Sequence, residues 1–539
     1  MVFAHRFALG GPFHADAEPA GAATQWRVRE LHFVAEADYA DPFDTESARF
    51  VAEFRGPNDR RLTVPGFWDG GRDWRLRFTP TEPGRWEYVT SFTSSSDEGL
   101  HARRGAFDVK PAEATSSVRR HGGFLRVSED GRHLAHPDGT PFFWLGDTWW
   151  RVPSGFVPFD DFVRMVDRRV AQGFTVFQAL GYAPFAGSNG VGVFRATGEA
   201  SDDVVAYWRE VDRYLGYAEA KGLVGVIGLG GTSAFDGVDL PSLERLWRYY
   251  LARYSAYPIT FLITQEYNSR VGDAAERFAK VRALGHLIRE IDPYRRAITV
   301  HPAVASIDDL RAWSEDWYGF ALLQGGHFSR VRCEAYEALR ARAPTRPIIQ
   351  SEHNYESFER GRFKVTADEV RRTAYSAIQC GAYGYTYGAQ GLYAAIADIS
   401  AETPASKWGP LITWKEGLAL PGAAQLSHLR TFYESVEWWK TAPWDSRHVS
   451  GDALVRSDGY STVVVYFATT STDRMPTTLH GVPGGARFAY DWFDPRTGAY
   501  LDDGGTLAAI DRDLVLPPSP DRDDWLLRLR KLPNGVPTE

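Results

Sequence analysis

Apolar residues recur along this chain with two different periods, and the change between them divides it into three. From about residue 24 to 112 the period is two: Trp74, Leu76 and Phe78 alternate with polar neighbours, and Trp86 and Tyr88 continue the pattern. Turn-forming stretches (GPND, WDGGRD, TEPG) separate these runs, and no amphipathic helix interrupts them. An antiparallel β-sandwich is expected there. From about 118 to 437 short apolar runs alternate with helical patterns. The runs are 142–147, 174–180, 223–229, 259–266, 297–301, 318–324, 347–352 and 382–387. Between them one helix carries Phe159, Phe162, Val163, Val166 and Val170 on a face. Another carries Val204, Trp208, Val211, Leu215 and Ala218, and a third starts with the capping box Thr366–Glu369. Eight strand–helix alternations over about 300 residues predict a closed barrel of parallel strands. An open doubly wound sheet is the alternative, but no GxGxxG follows a first strand. From about 440 onward STVVVYFA, RFAYDWFDPRTG and DWLLRLR return to strands. The expected fold is an α/β (β/α)8 TIM barrel (residues 116–437) flanked by N-terminal (1–115) and C-terminal (438–539) antiparallel β-sandwich domains.

Composition narrows the function. The 539 residues are 44% hydrophobic and 24% charged, an ordinary globular balance, with a net charge of −8. No basic block exists, so nucleic acid is not an expected partner. No run of about 18 apolar residues exists, so no membrane span is expected. The opening MVFAHRFALGGPFHADAEP lacks an apolar h-region, so no signal peptide is read and the cytoplasm is the expected compartment. Cys333 and Cys380 cannot make a disulfide framework and are read as buried thiols in helices. A homo-oligomer stays open. There is no HExxH, CxxC or close His pair for zinc, no GxSxG elbow and no phosphate-binding P-loop. No metal or cofactor is expected.

In a barrel of this kind chemistry sits at the carboxyl ends of the strands. Strand 1 ends at Asp147, followed by Trp149 and Trp150. Strand 2 carries Gln178 and leads to Tyr182. Strand 4 ends in Gln265, Glu266 and Asn268, strand 5 at His301, and strand 6 runs into Gln324 and His327. Strand 7 ends at Glu352, and strand 8 supplies Tyr387; Trp408 follows in a long loop. A lone Glu at a strand end is more often merely solvated. Two of them, on strands 4 and 7 and ringed by aromatic and amide side chains, fit a different task. Glycosidic cleavage needs one carboxylic acid to protonate the leaving oxygen and a second, ionised carboxylate to attack or to activate water. Glu266 and Glu352 are therefore the candidate catalytic pair. The candidate sugar-contacting residues are Asp147, Trp149, Trp150, Gln178, Tyr182, Asn268, His301, Gln324, His327, Tyr387 and Trp408, several of which would serve equally as packing or cap residues.

The segments FFWLGDTWW, QGGH, SEHNYE and WKEGLALPGAAQL resemble the apiosidase-like glycosidases. FWDGGRDWRLRFTPTEPGRWEY is similar to the small β-sandwich that often precedes such barrels. YDWFDPRTG and DWLLRLR are similar to the collagen-binding-type sandwich that often follows them. The resemblance implies a (β/α)8 retaining glycoside hydrolase with Glu352 as nucleophile and Glu266 as acid/base. It also implies that Asp147, Gln324 and His327 line the sugar subsite and that the substrate is an oligosaccharide or glycoside. Strand 4 departs from the family's tendency to a GGD turn, since this chain has TQEYN; another furanose or pentose is then as open as apiose. The expected function is exo-acting hydrolysis of a furanoside or other pentose glycoside. The rivals are an endo-glycanase, a transglycosylase using the same two glutamates, and a non-catalytic carbohydrate-binding protein.

Overall fold

A computed structural model describes residues 22–533, except 45–46, 114–116, 153–156, 183–201, 304–309, 401–402, 404–405 and 469–476. Its centre is a ring of eight parallel strands: β1 (Trp144–Thr148), β2 (Val176–Tyr182), β3 (Val224–Leu229), β4 (Ile259–Leu262), β5 (Ile298–Thr299), β6 (Ala321–Gly326), β7 (Ile348–His353) and β8 (Gly384–Tyr387). Pairing runs continuously from β5 through β4, β3, β2, β1, β8 and β7 to β6. The ring closes where Ile298 bridges Tyr318 and the Thr299 hydroxyl donates to the Phe320 carbonyl at 2.7 Å. Inward-facing Trp144, Val176, Leu180, Val226, Leu262, Phe320, Leu322 and Ile349 fill the interior. Every apolar run expected to be a barrel strand contains one.

The helices α1 (Phe159–Ala171), α2 (Asp202–Ala220), α3 (Leu240–Tyr254), α4 (Ala274–Ile291), α5 (Cys333–Arg340), α6 (Ala367–Cys380) and α7 (Gly422–Ser435) belong to the surrounding layer. The capping box of α6 forms as expected from sequence. Phe162, Met165 and Val166 of α1 are buried, and so is Arg169, a charge on the apolar face. On α2 the expected face is buried at Trp208, Val211, Leu215 and Ala218; the Val204 side chain lies outside the described residues. Cys333 and Cys380 are not free thiols. They form a disulfide joining the start of α5 to the end of α6, 47 residues apart in sequence. Sequence distance conceals a pairing that arises because successive helices of the outer layer lie side by side.

The N-terminal strands 22–24, 29–34, 50–55, 61–68, 73–78, 84–92 and 104–110 form a seven-stranded sheet, antiparallel except where 22–24 joins 104–110. On strand 73–78, Trp74, Leu76 and Phe78 enter the core while Arg75 and Arg77 face the other way. That alternation aims Arg77 at the barrel, where it and Arg253 of α3 grip Asp212 of α2 with both guanidinium groups, each at 2.6 Å. Burial pushes the Asp212 carboxyl up, but the two arginines outweigh it and hold it far below the usual carboxylate range. Because the folded pKa is depressed, the stabilisation is present above the unfolded pKa and is lost as pH falls towards the folded one. Replacing Asp212 by Ala should destabilise by about 3 kcal/mol, at the lower end for a broken buried pair because Glu30 and Asp69 still serve the two arginines. Urea melts at pH 7 read it, and the deficit should shrink in acid.

The C-terminal part packs a larger sheet against a three-stranded one (449–450, 478–480, 513–515) over Val463, Val465, Phe488, Trp492, Leu514 and Leu527. Strand 462–467 is apolar on both faces because Val464 and Tyr466 pack on the other side, Tyr466 stacking on Tyr375 of α6. Arg371 of α6 and Asp524, both fully buried, pair across the same boundary at 2.6 Å.

Candidate active site

Strands β4 and β7 bring two carboxylates to one cavity at the carboxyl end of the barrel. Glu266 follows the end of β4 in the left-handed region (φ 50°), a conformation that costs a non-glycine residue energy and tends to occur at functional sites. Glu352 lies on β7 and is 6% exposed. The Gln324 amide on β6 ties them together: Nε2 donates to Glu352 Oε1 at 2.8 Å and to Glu266 Oε1 at 3.3 Å. Those two oxygens are therefore at most about 6 Å apart.

Two histidines flank Glu352. His327 Nδ1 accepts the Tyr355 backbone N–H at 3.4 Å, which leaves its Nε2 proton for Glu352 Oε1, 3.5 Å away. His301 Nε2 stands 3.6 Å from Glu352 Oε2. Burial raises the Glu352 carboxyl, but the His327 hydrogen bond, the two imidazoles and the Gln324 amide prevail and hold it below the usual range. Burial drives His301 down despite both glutamates, so its ring is neutral at pH 7. Glu352 is thus ionised at neutral pH. Removing His327 as Ala should raise its pKa and move the acid limb of kcat/KM to higher pH; a profile matching the parent's would exclude that support.

The cavity holds about 400 Å³ and is lined by both glutamates, Gln265, Gln324, His327, Trp150 and Trp408. Its walls also include Tyr355, Phe358, Tyr393, Arg151 and Lys407, which the sequence pattern did not single out. All five lie in connections beyond strand ends, where no period marks them. Trp408 stacks on Phe358 (centroids 5.1 Å) and meets His327 edge-on.

Other expected sugar contacts lie elsewhere. Strand alternation turns Trp144, Gly146 and Thr148 inward and Asp147 outward. The Asp147 carboxylate, fully buried, accepts from Arg169 Nε at 2.6 Å and from Trp149 Nε1 at 2.9 Å. Burial raises its carboxyl above the ordinary range despite Arg169. Trp149 shares that outer layer, packing on Phe162 and Phe177. Tyr387 also points outward and donates to Glu356. Gln178 points inward but below the cavity, bonded to Thr386 and the Ser351 carbonyl. Asn268 braces the β4 and β5 loops by accepting the Ala303 N–H, and His301 lies behind Glu352 rather than on the cavity wall. The Tyr182 side chain is outside the described residues. Among the described residues no group of three or more His, Cys, Asp or Glu could hold a metal ion, and no helix is long and apolar enough to cross a membrane.

A parallel eight-stranded barrel presenting two facing glutamates at its carboxyl end defines a glycoside hydrolase. The model of the apiosidase-like catalytic domain matches residues 128–440, and the chain belongs to that family. Residues 22–93 match a domain of unknown function, DUF5060. No curated protein matches the chain. A candidate glycoside hydrolase from Bacteroides vulgatus ATCC 8482 superposes with a TM-score of 0.72 at 19% identity, over 95% of this chain and all of that one. A glycoside hydrolase family 5 protein from the same organism gives 0.64 at 21% identity, over 77% of this chain and 95% of its own. At these identities the likeness is one of fold.

Proposed function

We propose that the protein is a retaining glycoside hydrolase acting at the end of short glycosides, with a furanoside or other pentose as the sugar released. Glu352 attacks the anomeric carbon while Glu266 protonates the departing glycosidic oxygen, leaving a glycosyl-enzyme. Glu266 then takes a proton from water, which attacks the same carbon and frees Glu352. The observation that carries the reading is the shared Gln324 amide. Glutamate oxygens no more than about 6 Å apart fit the roughly 5–5.5 Å of retaining enzymes better than the roughly 6.5–9.5 Å that leaves room for a water in inverting ones. The left-handed backbone at Glu266 and the depressed pKa of Glu352 agree with an acid and an ionised nucleophile.

A cavity of about 400 Å³ is near the lower end of small-molecule sites, roughly 300–1,000 Å³, and favours a short glycoside over a long polymer strand. Trp150 and Trp408 supply apolar faces for the sugar, and Gln324 and His327 supply polar contacts. The Cys333–Cys380 bridge favours an oxidising compartment over the cytoplasm read from the sequence. A panel of nitrophenyl furanosides and pyranosides tests the sugar class. Turnover of a pentofuranoside above all pyranosides is expected, and hydrolysis of hexopyranosides alone would refute it.

A further inference from the structure

The turnover scheme above leaves one buried carboxylate near the cavity without a task. Glu356 lies four residues past Glu352, is 3% exposed, and points away from the cavity. Its side chain accepts the Tyr387 hydroxyl at 2.6 Å and the backbone N–H of Gly422, the first residue of α7, at 3.0 and 3.2 Å. Its backbone is held as firmly: its N–H donates to the Gly388 carbonyl at 2.8 Å and its carbonyl accepts from the Gln390 N–H at 2.9 Å. Two glycines leave room for this fit. A Cβ on Gly422 would stand 2.5 Å from a Glu356 oxygen, and one on Gly388 would stand 2.3 Å from the Tyr355 ring. Two segments that mark the sequence, SEHNYE and LPGAAQ, thus meet through one carboxylate.

What this anchor fixes is the residue before it. Tyr355 faces the cavity, the opposite side from Glu356. Its N–H donates to His327 Nδ1, its ring packs on the His327 ring (centroids 4.8 Å), and its hydroxyl oxygen accepts Trp150 Nε1–H at 3.0 Å. With that lone pair used, the phenolic proton is free to point at Glu352, whose charge raises the Tyr355 pKa. His327 in turn presents Nε2 to Glu352. We infer that Glu356 is a positioning residue: by pinning the turn after β7 it sets Tyr355 and His327, and through them the orientation of Glu352. The inference rests on the proposed role of Glu352.

The test compares the full-length parent with Glu356→Gln, which keeps the shape but loses the charge-assisted bonds. It also includes Tyr387→Phe, which removes one donor at nearly constant volume. Crystal structures and kinetics on the nitrophenyl glycoside turned over best by the parent are read together. For Glu356→Gln, kcat should fall about 10–100-fold with KM within about threefold, and the acid limb of the pH profile should move to higher pH as Glu352 loses its donors. Tyr387→Phe should show the same changes to a smaller degree. In the Glu356→Gln crystal, Tyr355 and His327 should shift from Glu352. A purely structural Glu356 would lower Tm while leaving kcat per folded molecule and the acid limb unchanged, and that result overturns the inference. So does a Glu356→Gln structure in which Tyr355, His327 and Glu352 superpose on the parent. Glu352→Gln in parallel separates the two claims: full activity there sinks the catalytic reading, whereas an inactive Glu352→Gln beside an unimpaired Glu356→Gln sinks the positioning role alone. If the parent cleaves no glycoside, the crystal comparison alone decides whether Glu356 sets the geometry.

Discussion

Glu352→Gln lowers kcat by about 10⁴-fold or more, because the amide cannot form the glycosyl-enzyme and the remaining groups cannot replace it. Folding should survive. The amide is isosteric, Gln324 can still meet its oxygen, and the cost of burying a carboxylate disappears. Circular dichroism and Tm close to the parent's would therefore accompany the loss. A fluorinated glycoside with a good leaving group should add one sugar mass to the parent, and peptide mapping should locate it on Glu352. Residual turnover within tenfold of the parent would remove Glu352 from the chemistry.

Glu266→Gln is expected to lose about 10²–10⁴-fold, the usual worth of a general acid–base group, and the loss should depend on the leaving group. A nitrophenolate departs without a proton, so glycosylation of Glu352 continues and the intermediate accumulates when no base activates water. Azide needs no such base. Adding it should restore turnover of nitrophenyl substrates and yield a glycosyl azide. Equal losses on activated and unactivated glycosides, with no azide rescue, would show that Glu266 does something other than transfer protons.

The barrel was readable because its inner core demands apolar residues at each strand, and each of eight short runs proved to hold one. Both glutamates were readable for the complementary reason: a carboxylate ending such a run must be solvated, paired or used. The pattern misled where it fixed position but not side. Asp147 sits at a strand end like Glu352, yet the two-residue period turns it outward to Arg169. The signal lay in α1, where Arg169 falls seven residues after Phe162 on a face otherwise buried, so that it had to find a carboxylate. Tyr355, Phe358 and Tyr393 lie in connections without a period, and only the folded chain brings them to the cavity. The Cys333–Cys380 pair was hidden because adjacency of α5 and α6 belongs to barrel topology, whereas helical periodicity reports only each helix's own face.

The stereochemistry of the first-formed sugar, followed by ¹H NMR during early hydrolysis of a cleaved glycoside, probes the central claim most directly. Two displacements at one carbon, the first by Glu352, should release the sugar with the anomeric configuration of the substrate. Release of the opposite anomer would mean a single displacement by water, and Glu352 would then be a base rather than a nucleophile.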